Sequence, residues 1–278
     1  MLCHTLILCA ALALAIDANA DEKRYSGRLF DGHVHYSHQV WEVYDTAAAL
    51  KMLDDAEVRG ALTSSTPHEG TQRLLDAKHP RVKIVPLFRP YTPKKGSTTW
   101  HKYPDRIASA KAAMETALHQ GLGEVHIQLP VVLDSEPLQK LIRQVADKGM
   151  FIQPHSDYEV VERLFKIAPN SKIIWAHAGF ADPPKVISWM MDRHENLWAE
   201  LSYREDEIND VDGIDPQWKA LFLRHPDRFM IGSDAWNVDR WYAFNSIIEE
   251  NRLWLGHLPK DVADMIAHGN GEQLFGLR

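Results

Sequence analysis

Short apolar runs recur along the chain about every 30 residues, and stretches with helical apolar spacing lie between them. The stretch 44–58, YDTAAALKMLDDAEV, sets Ala47, Leu50, Leu53 and Val58 on one side and predicts an amphipathic helix. Runs at 61–66, 82–88 (VKIVPLF), 124–129 (EVHIQL), 150–155 (MFIQPH), 172–177 (KIIWAH), 197–201 and 228–231 (RFMI) read as strands. Helices are expected over 71–78, 104–120, 135–148, 158–167, 183–193, 216–224, 240–255 and 260–267. Pro104 at the start and Gly121 just past the end frame the longest of the early ones. With the run that opens at Leu29, eight strands each precede a helix, and no shift in composition marks a second domain. Strict alternation predicts a parallel sheet, and eight units predict a single (β/α)8 TIM-like barrel, an α/β fold, over 21–278. The alternative is a doubly wound open sheet. It would want a glycine-rich phosphate loop after a strand, and the sequence has none.

Residues 1–20 stand apart. Positions 6–16 are apolar, too short a run to span a membrane, and Ala18-Asn19-Ala20 has the small-x-small pattern of a signal-peptidase site. The expectation is a signal peptide cleaved after Ala20 and an exported protein, periplasmic or secreted, with no membrane segment left after cleavage. The lack of Lys or Arg before the apolar run keeps an uncleaved start as the alternative. Both cysteines, Cys3 and Cys9, lie in this leader, so the mature chain would have no disulfide, thiolate ligand or cysteine nucleophile. Any metal must then use His, Asp, Glu or water.

Composition narrows the partners. Hydrophobic residues make up 45% and charged residues 25% of the chain, as in soluble globular proteins. The formal net charge of −7 argues against a nucleic-acid partner.

The candidate chemistry begins at RLFDGHVH, residues 28–35. In a strand, His33 and His35 point to the same face, and two adjacent imidazoles can share a divalent cation. With 15 histidines in 278 residues, chance alone gives about one such pair, so the pair carries little by itself. Position adds the rest. In a barrel the chemistry sits at the carboxyl ends of the strands. Those ends supply His33 and His35, Arg89, His155, His177, the stretch from Glu200 to Arg204, and Asp234. Taken singly, each has an ordinary explanation as a cap, a turn or a core hydrogen bond. Four histidines and an aspartate at one rim point to a metal site.

DGHVH in the first strand, QPH in the fifth, WAHAG in the sixth, GSDAW in the eighth and the closing IAHGNGEQLFGL together resemble the amidohydrolase superfamily. The nearest branch is the amidohydrolase-related group, which includes aminocarboxymuconate-semialdehyde decarboxylase-like and lactonase-like enzymes. The resemblance implies that His33, His35, His155 and Asp234 ligate a metal, Zn²⁺ first and Mn²⁺ second, and that His177 polarises substrate or shuttles a proton. Relatives with two metals bridge them through a carboxylated lysine on the fourth strand. EVHIQL has no lysine, and Glu124, at the beginning of that run, is expected at the end away from the mouth. A mononuclear site is the resulting expectation.

The chemistry of such a site makes Asp234 and His177 the candidate catalytic residues, as proton acceptor and oxyanion stabiliser. Asp31 is either a hydrogen-bond partner of a ligand histidine or a turn cap. Arg89, Tyr36, Arg204 and Trp236 follow strand ends and are the candidate contacts to a small, anionic substrate, although aromatics there commonly pack loops. Three functions compete. They are a metal-dependent hydrolase of an amide, lactone or ester-like bond, a metal-dependent nonoxidative decarboxylase of an unsaturated or aromatic acid, and an exported metal-binding protein without catalysis. Asp234 and His177 beside the ligands favour an enzyme, and export tilts the choice to hydrolysis. Related barrels often pair, so a homodimer is the assembly the resemblance implies, but no stretch marks an interface.

Overall fold

The computed structural model describes residues 23–94 and 96–277. The expected leader, 1–20, lies outside them. Eight strands follow one another around a single sheet in chain order, every neighbouring pair parallel. They are β1 Leu29–Val34, β2 Val58–Thr63, β3 Lys83–Phe88, β4 Gly121–His126, β5 Phe151–His155, β6 Lys172–Trp175, β7 Leu197–Glu200 and β8 Phe229–Met230. The sheet closes on itself. Gly32 N–H donates to Ile231 O and Asp234 N–H to His33 O, both at 2.8 Å, and Val34 bridges Ala235 in parallel. This is the (β/α)8 barrel that the alternation predicts.

The main crossover helices are α1 Thr46–Asp55, α2 Glu69–Asp76, α3 Pro104–Ala113, α4 Glu136–Asp147, α5 Tyr158–Ile167 and α6 Pro184–Arg193. After β7 come α7 Glu205–Ile208 and α8 Pro216–Arg224, and after β8 come α9 Val238–Tyr242 and α10 Phe244–Leu255. Their apolar faces form the outer core; in α4, for example, Leu138, Leu141, Ile142, Val145 and Ala146 are buried. The barrel interior has its own apolar layer of Phe30, Leu62, Val85, Leu87, Phe151, Ile174 and Met230. The terminal segment, including α11 Lys260–Asp264 and α12 Asn270–Leu274, seals that layer. Leu274, Phe275 and Leu277 pack on it, Asn270 Nδ2 donates to Pro226 O and Phe229 O, and Arg28 pairs with Glu272 at 2.7 Å. Among the described residues no helix is long and apolar enough to cross a membrane.

One boundary differs from expectation, and the difference matters. The helix expected over 104–120 stops at Ala113. Thr116 Oγ1 donates to Ala113 O at 2.8 Å, and short i+3 turns replace the helical ladder. Gly121 therefore opens β4 instead of capping a helix. A Cβ at Gly121 would stand 2.0 Å from Phe151 O, so only glycine permits that close pairing with β5. The strand begins three residues earlier than expected, and Glu124 moves up towards the mouth.

Candidate metal centre

β1 presents His33 and His35 side by side, as an i, i+2 pair in a strand must. The His33 ring donates Nδ1–H to Glu200 Oε1 at 2.8 Å, and the His35 ring donates Nδ1–H to the Ser64 carbonyl. Both rings therefore turn Nε2 inward, and the two Nε2 atoms face each other at 2.9 Å. Asp234, from the loop after β8, brings Oδ1 to 3.2 Å from His35 Nε2 and 3.5 Å from His33 Nε2. That Oδ1 is buried and accepts no hydrogen bond.

Three acceptors converging on one point need positive charge between them. Burial pulls the pKa of His33 down, but Asp234, Glu200 and Glu124 outweigh burial and hold it well above the ordinary imidazole value. Likewise, burial would raise the Asp234 carboxyl, yet His33 and His35 hold it well below the usual carboxylate range. The donor set, with His33, His35 and Asp234 ligand atoms all within 4.8 Å of one another, fits a divalent cation of borderline character.

Glu124 is the principal correction to the sequence reading. It is 2% exposed and central to the mouth, not at the far end of its strand. Oε1 lies 2.7 Å from His155 Nδ1 and 3.6 Å from His177 Nε2. Oε2 lies 3.4 Å from His35 Nε2, 3.7 Å from His33 Nε2 and 2.7 Å from Arg89 Nη2. Burial raises its carboxyl, but His33 and Arg89 hold it well below the ordinary range. Two further donor groupings contain it: Glu124 with His33 and His177, and Glu124 with His126 and His155. Glu124 thus links His155 to the His33–His35–Asp234 group, and of the two grounds for expecting one cation the missing lysine stands while the remote Glu124 does not. The signal was in the sequence. Glu124-Val125-His126 repeats the i, i+2 geometry of His33-Val34-His35 once the strand is started at Gly121.

His177 follows β6 in a left-handed turn (φ 57°) that continues through Ala178 and Phe180. Its Nδ1 meets Ser202 Oγ at 2.9 Å, and its Nε2 lies 3.2 Å from His155 Nδ1. Burial lowers its pKa, but Glu124 and Glu200 raise it above the ordinary value. Asp234 (φ 42°) and Tyr203 (φ 64°) are left-handed too. Backbone strain of this kind gathers where surrounding structure holds functional groups in place.

Asp31 does not touch a histidine ring. Its Oδ1 accepts the backbone N–H groups of His33 and Ser233, both at 3.0 Å, tying β1 to the end of β8. Burial raises its carboxyl to about 6. The partner of a ligand-type imidazole is Glu200.

Above the histidines opens a cavity of about 560 Å³, lined among others by Arg89, Tyr91, His126, Phe180, Tyr203 and Trp236. Of the four expected substrate contacts, Arg89 and Trp236 line it. Tyr36 is buried and donates its hydroxyl to Tyr44 O at 2.9 Å, a packing role behind the wall. Arg204 is also buried away from the cavity and donates to Phe180 O at 2.6 Å and Asp182 O at 2.7 Å, bracing the turn after His177.

Solved structures share this architecture. The E. coli K12 TatD homolog YjjV superposes with a TM-score of 0.62 at 14% identity, covering 90% of this chain and 99% of its own. The 5-carboxyvanillate decarboxylase of Sphingomonas paucimobilis gives 0.57 at 15% identity, with the same two coverages. A Burkholderia multivorans amidohydrolase with bound zinc gives 0.57 at 10%, again covering 90% and 99%. At such identities the likeness is one of fold. No curated protein matches the chain in sequence. A family model does: the one described as amidohydrolase matches residues 99–277, more than half of the chain, taking in β4 to β8 with Glu124, His155, His177 and Asp234. On that match the chain belongs to the amidohydrolase family.

Proposed function

We propose that this protein is a metal-dependent hydrolase that cleaves an amide, lactone or ester-like bond of a small molecule. The observation that carries the reading is the convergence of His33 Nε2, His35 Nε2 and the unpartnered Asp234 Oδ1 on one point at the floor of the cavity. Those three residues would hold a divalent cation, with Zn²⁺ first and Mn²⁺ second. Glu124, with Oε2 3.4 Å from His35 Nε2, and His155 beside it extend the donor set far enough to admit a second ion. When bound, such an ion acts as a Lewis acid that polarises a carbonyl and acidifies water.

The remaining steps belong to the chain. Asp234, held ionised by His33 and His35, takes a proton from the attacking water and returns it to the leaving group. His177, buried beside Glu124 with Nδ1 anchored on Ser202, presents Nε2 as a donor to the developing oxyanion. Phe180, Tyr203 and Trp236 supply an apolar rim that limits water around a bound substrate. Arg89, its guanidinium on Glu124, gives the wall a cationic side for an anionic group.

Arg89 also favours a second reading on the same residues, decarboxylation of an unsaturated or aromatic acid, with His177 handling the proton. A barrel of this fold carries that chemistry in 5-carboxyvanillate decarboxylase.

Elemental analysis paired with a screen of lactones, amides and aromatic acids tests the proposal. We expect stoichiometric Zn²⁺ or Mn²⁺, activity lost on chelation and restored by the ion, and a hydrolysis product. Carbon dioxide release would select the second reading, and a metal-free active protein would refute both. Export is part of the proposal, and the amino-terminal sequence of the mature protein checks it, the expected first residue being Asp21.

A further inference from the structure

Glu200 ends β7 with a carboxylate that is completely buried, and no lysine or arginine among the described residues pairs with it. Desolvating a carboxylate costs several kcal/mol, and the only ionisable partners near it among the described residues are the histidines of the site, so an apolar residue would serve packing better. Its oxygens are instead fully engaged. Oε1 accepts both His33 Nδ1–H at 2.8 Å and the backbone N–H of His177 at 2.6 Å, and Oε2 accepts Ser202 N–H at 2.9 Å. The neighbouring strands leave room for it. A Cβ on Gly232 would stand 2.1 Å from Glu200 Oε2, and one on Gly32 would stand 3.0 Å from Glu200 Cβ. Two glycines on β1 and just after β8 thus form a slot that an acidic side chain from β7 fills.

We propose that Glu200 is a positioning residue that holds His33 with Nδ1 protonated and Nε2 facing the cation site, and that through the same oxygen fixes the start of the left-handed turn carrying His177. This rests on the metal-dependent reading above. Because one oxygen serves both donors, the group that binds the ion and the group that handles the oxyanion are placed by a single atom. A glutamine at this position keeps the volume but not the chemistry. Its one carbonyl can face His33 and His177 only by turning its NH2 onto Ser202 N–H, donor against donor; reversed, the NH2 meets two donors. A buried N–H is orphaned either way.

The test uses the full mature chain, ¹⁵N-labelled at histidine, with and without added Zn²⁺. In the wild type we expect a His33 Nδ1–H signal protected from solvent exchange, identified by its loss in His33→Ala. Glu200→Gln should shift or abolish that signal. It should also weaken Zn²⁺ binding about 10- to 100-fold in competition with a chromophoric chelator, with far-ultraviolet circular dichroism unchanged. Gly232→Ala, which crowds the carboxylate without removing it, should weaken Zn²⁺ in the same direction. A folded Glu200→Gln protein that binds Zn²⁺ like wild type overturns the proposal, and so does a wild-type spectrum with no protected proton on His33 Nδ1. If Glu200→Gln does not fold, the wild-type spectrum decides. If the wild type itself binds no Zn²⁺, the metal reading falls, and the spectrum of the cation-free chain still decides what Glu200 does.

Discussion

The base of the barrel interior and its mouth are built by the same strands under opposite rules. At the base, Phe30, Leu62, Phe151 and Met230 interlock beneath Phe275 and Leu277 in a layer that is wholly apolar. At the mouth, His33, His35, Glu124, Glu200 and Asp234 are just as buried, but they are polar and ionisable, one oxygen among them accepts no hydrogen bond, and the flanking turns are left-handed. A chain selected for stability alone would fill both ends alike; departures from local rules gather at functional sites. β1 shows the contrast within six residues, Phe30 packing the base while His33 faces the mouth.

The sharpest way to break the comparison is at the mouth. Asp234→Asn keeps the shape but removes the base, and we expect turnover on the substrate found by the screen to fall about 10²- to 10⁴-fold, the usual span for a general base, with the circular dichroism spectrum retained. Retained turnover would remove Asp234 from the mechanism. At the base the expected loss is of stability. Phe30→Ala opens a cavity under Phe275, which stacks on it at a centroid distance of 5.7 Å, and should cost about 3–5 kcal/mol in urea unfolding, while the folded protein keeps its Zn²⁺ affinity.

A smaller effect separates the two ends by pH. Glu205, buried beside the mouth with Oε1 unpartnered and 3.8 Å from Arg240, has its carboxyl raised by burial to about 7. The folded state therefore holds a proton that the unfolded state has released above about 4.5, so stability falls as pH rises between those values, by up to ~3 kcal/mol. Glu205→Gln should flatten that slope and stabilise the protein at pH 8. An unchanged slope would show that Glu205 does not titrate in this window.

Much of this was legible in the sequence because strand and helix periods differ and because barrel chemistry gathers at strand ends. The alternation from Leu29 onwards leads to the eight strands, and the polar residues after apolar runs lead to His33, His35, His155, His177 and Asp234 at one mouth. What escaped turned on register. Placing the start of β4 three residues late put Glu124 and His126 on the wrong level, since Gly121 looks the same in sequence whether it caps a helix or admits Phe151 O. The part played by Glu200 was equally hidden. The strand ends place Glu200 at the mouth with its neighbours up to Arg204, but its hold on His33 depends on the slot at Gly32 and Gly232, which is assembled from three distant segments. Tyr36 and Arg204 were misplaced for a related reason: following a strand end does not decide whether a side chain leans into the cavity or behind its wall.

The brace on Phe180 has a consequence for how such a barrel acquires new selectivity. Arg204 grips the Phe180 carbonyl, while the ring, half exposed, overhangs the cavity. The loop's path is thereby anchored from behind, while the ring in front packs edge-on to His177 and beside Tyr203, so an exchange there reshapes the cavity wall without moving the loop. Position 180 is the natural place to diversify by saturation mutagenesis, with glycine the easiest newcomer because it best tolerates the positive φ of 54°.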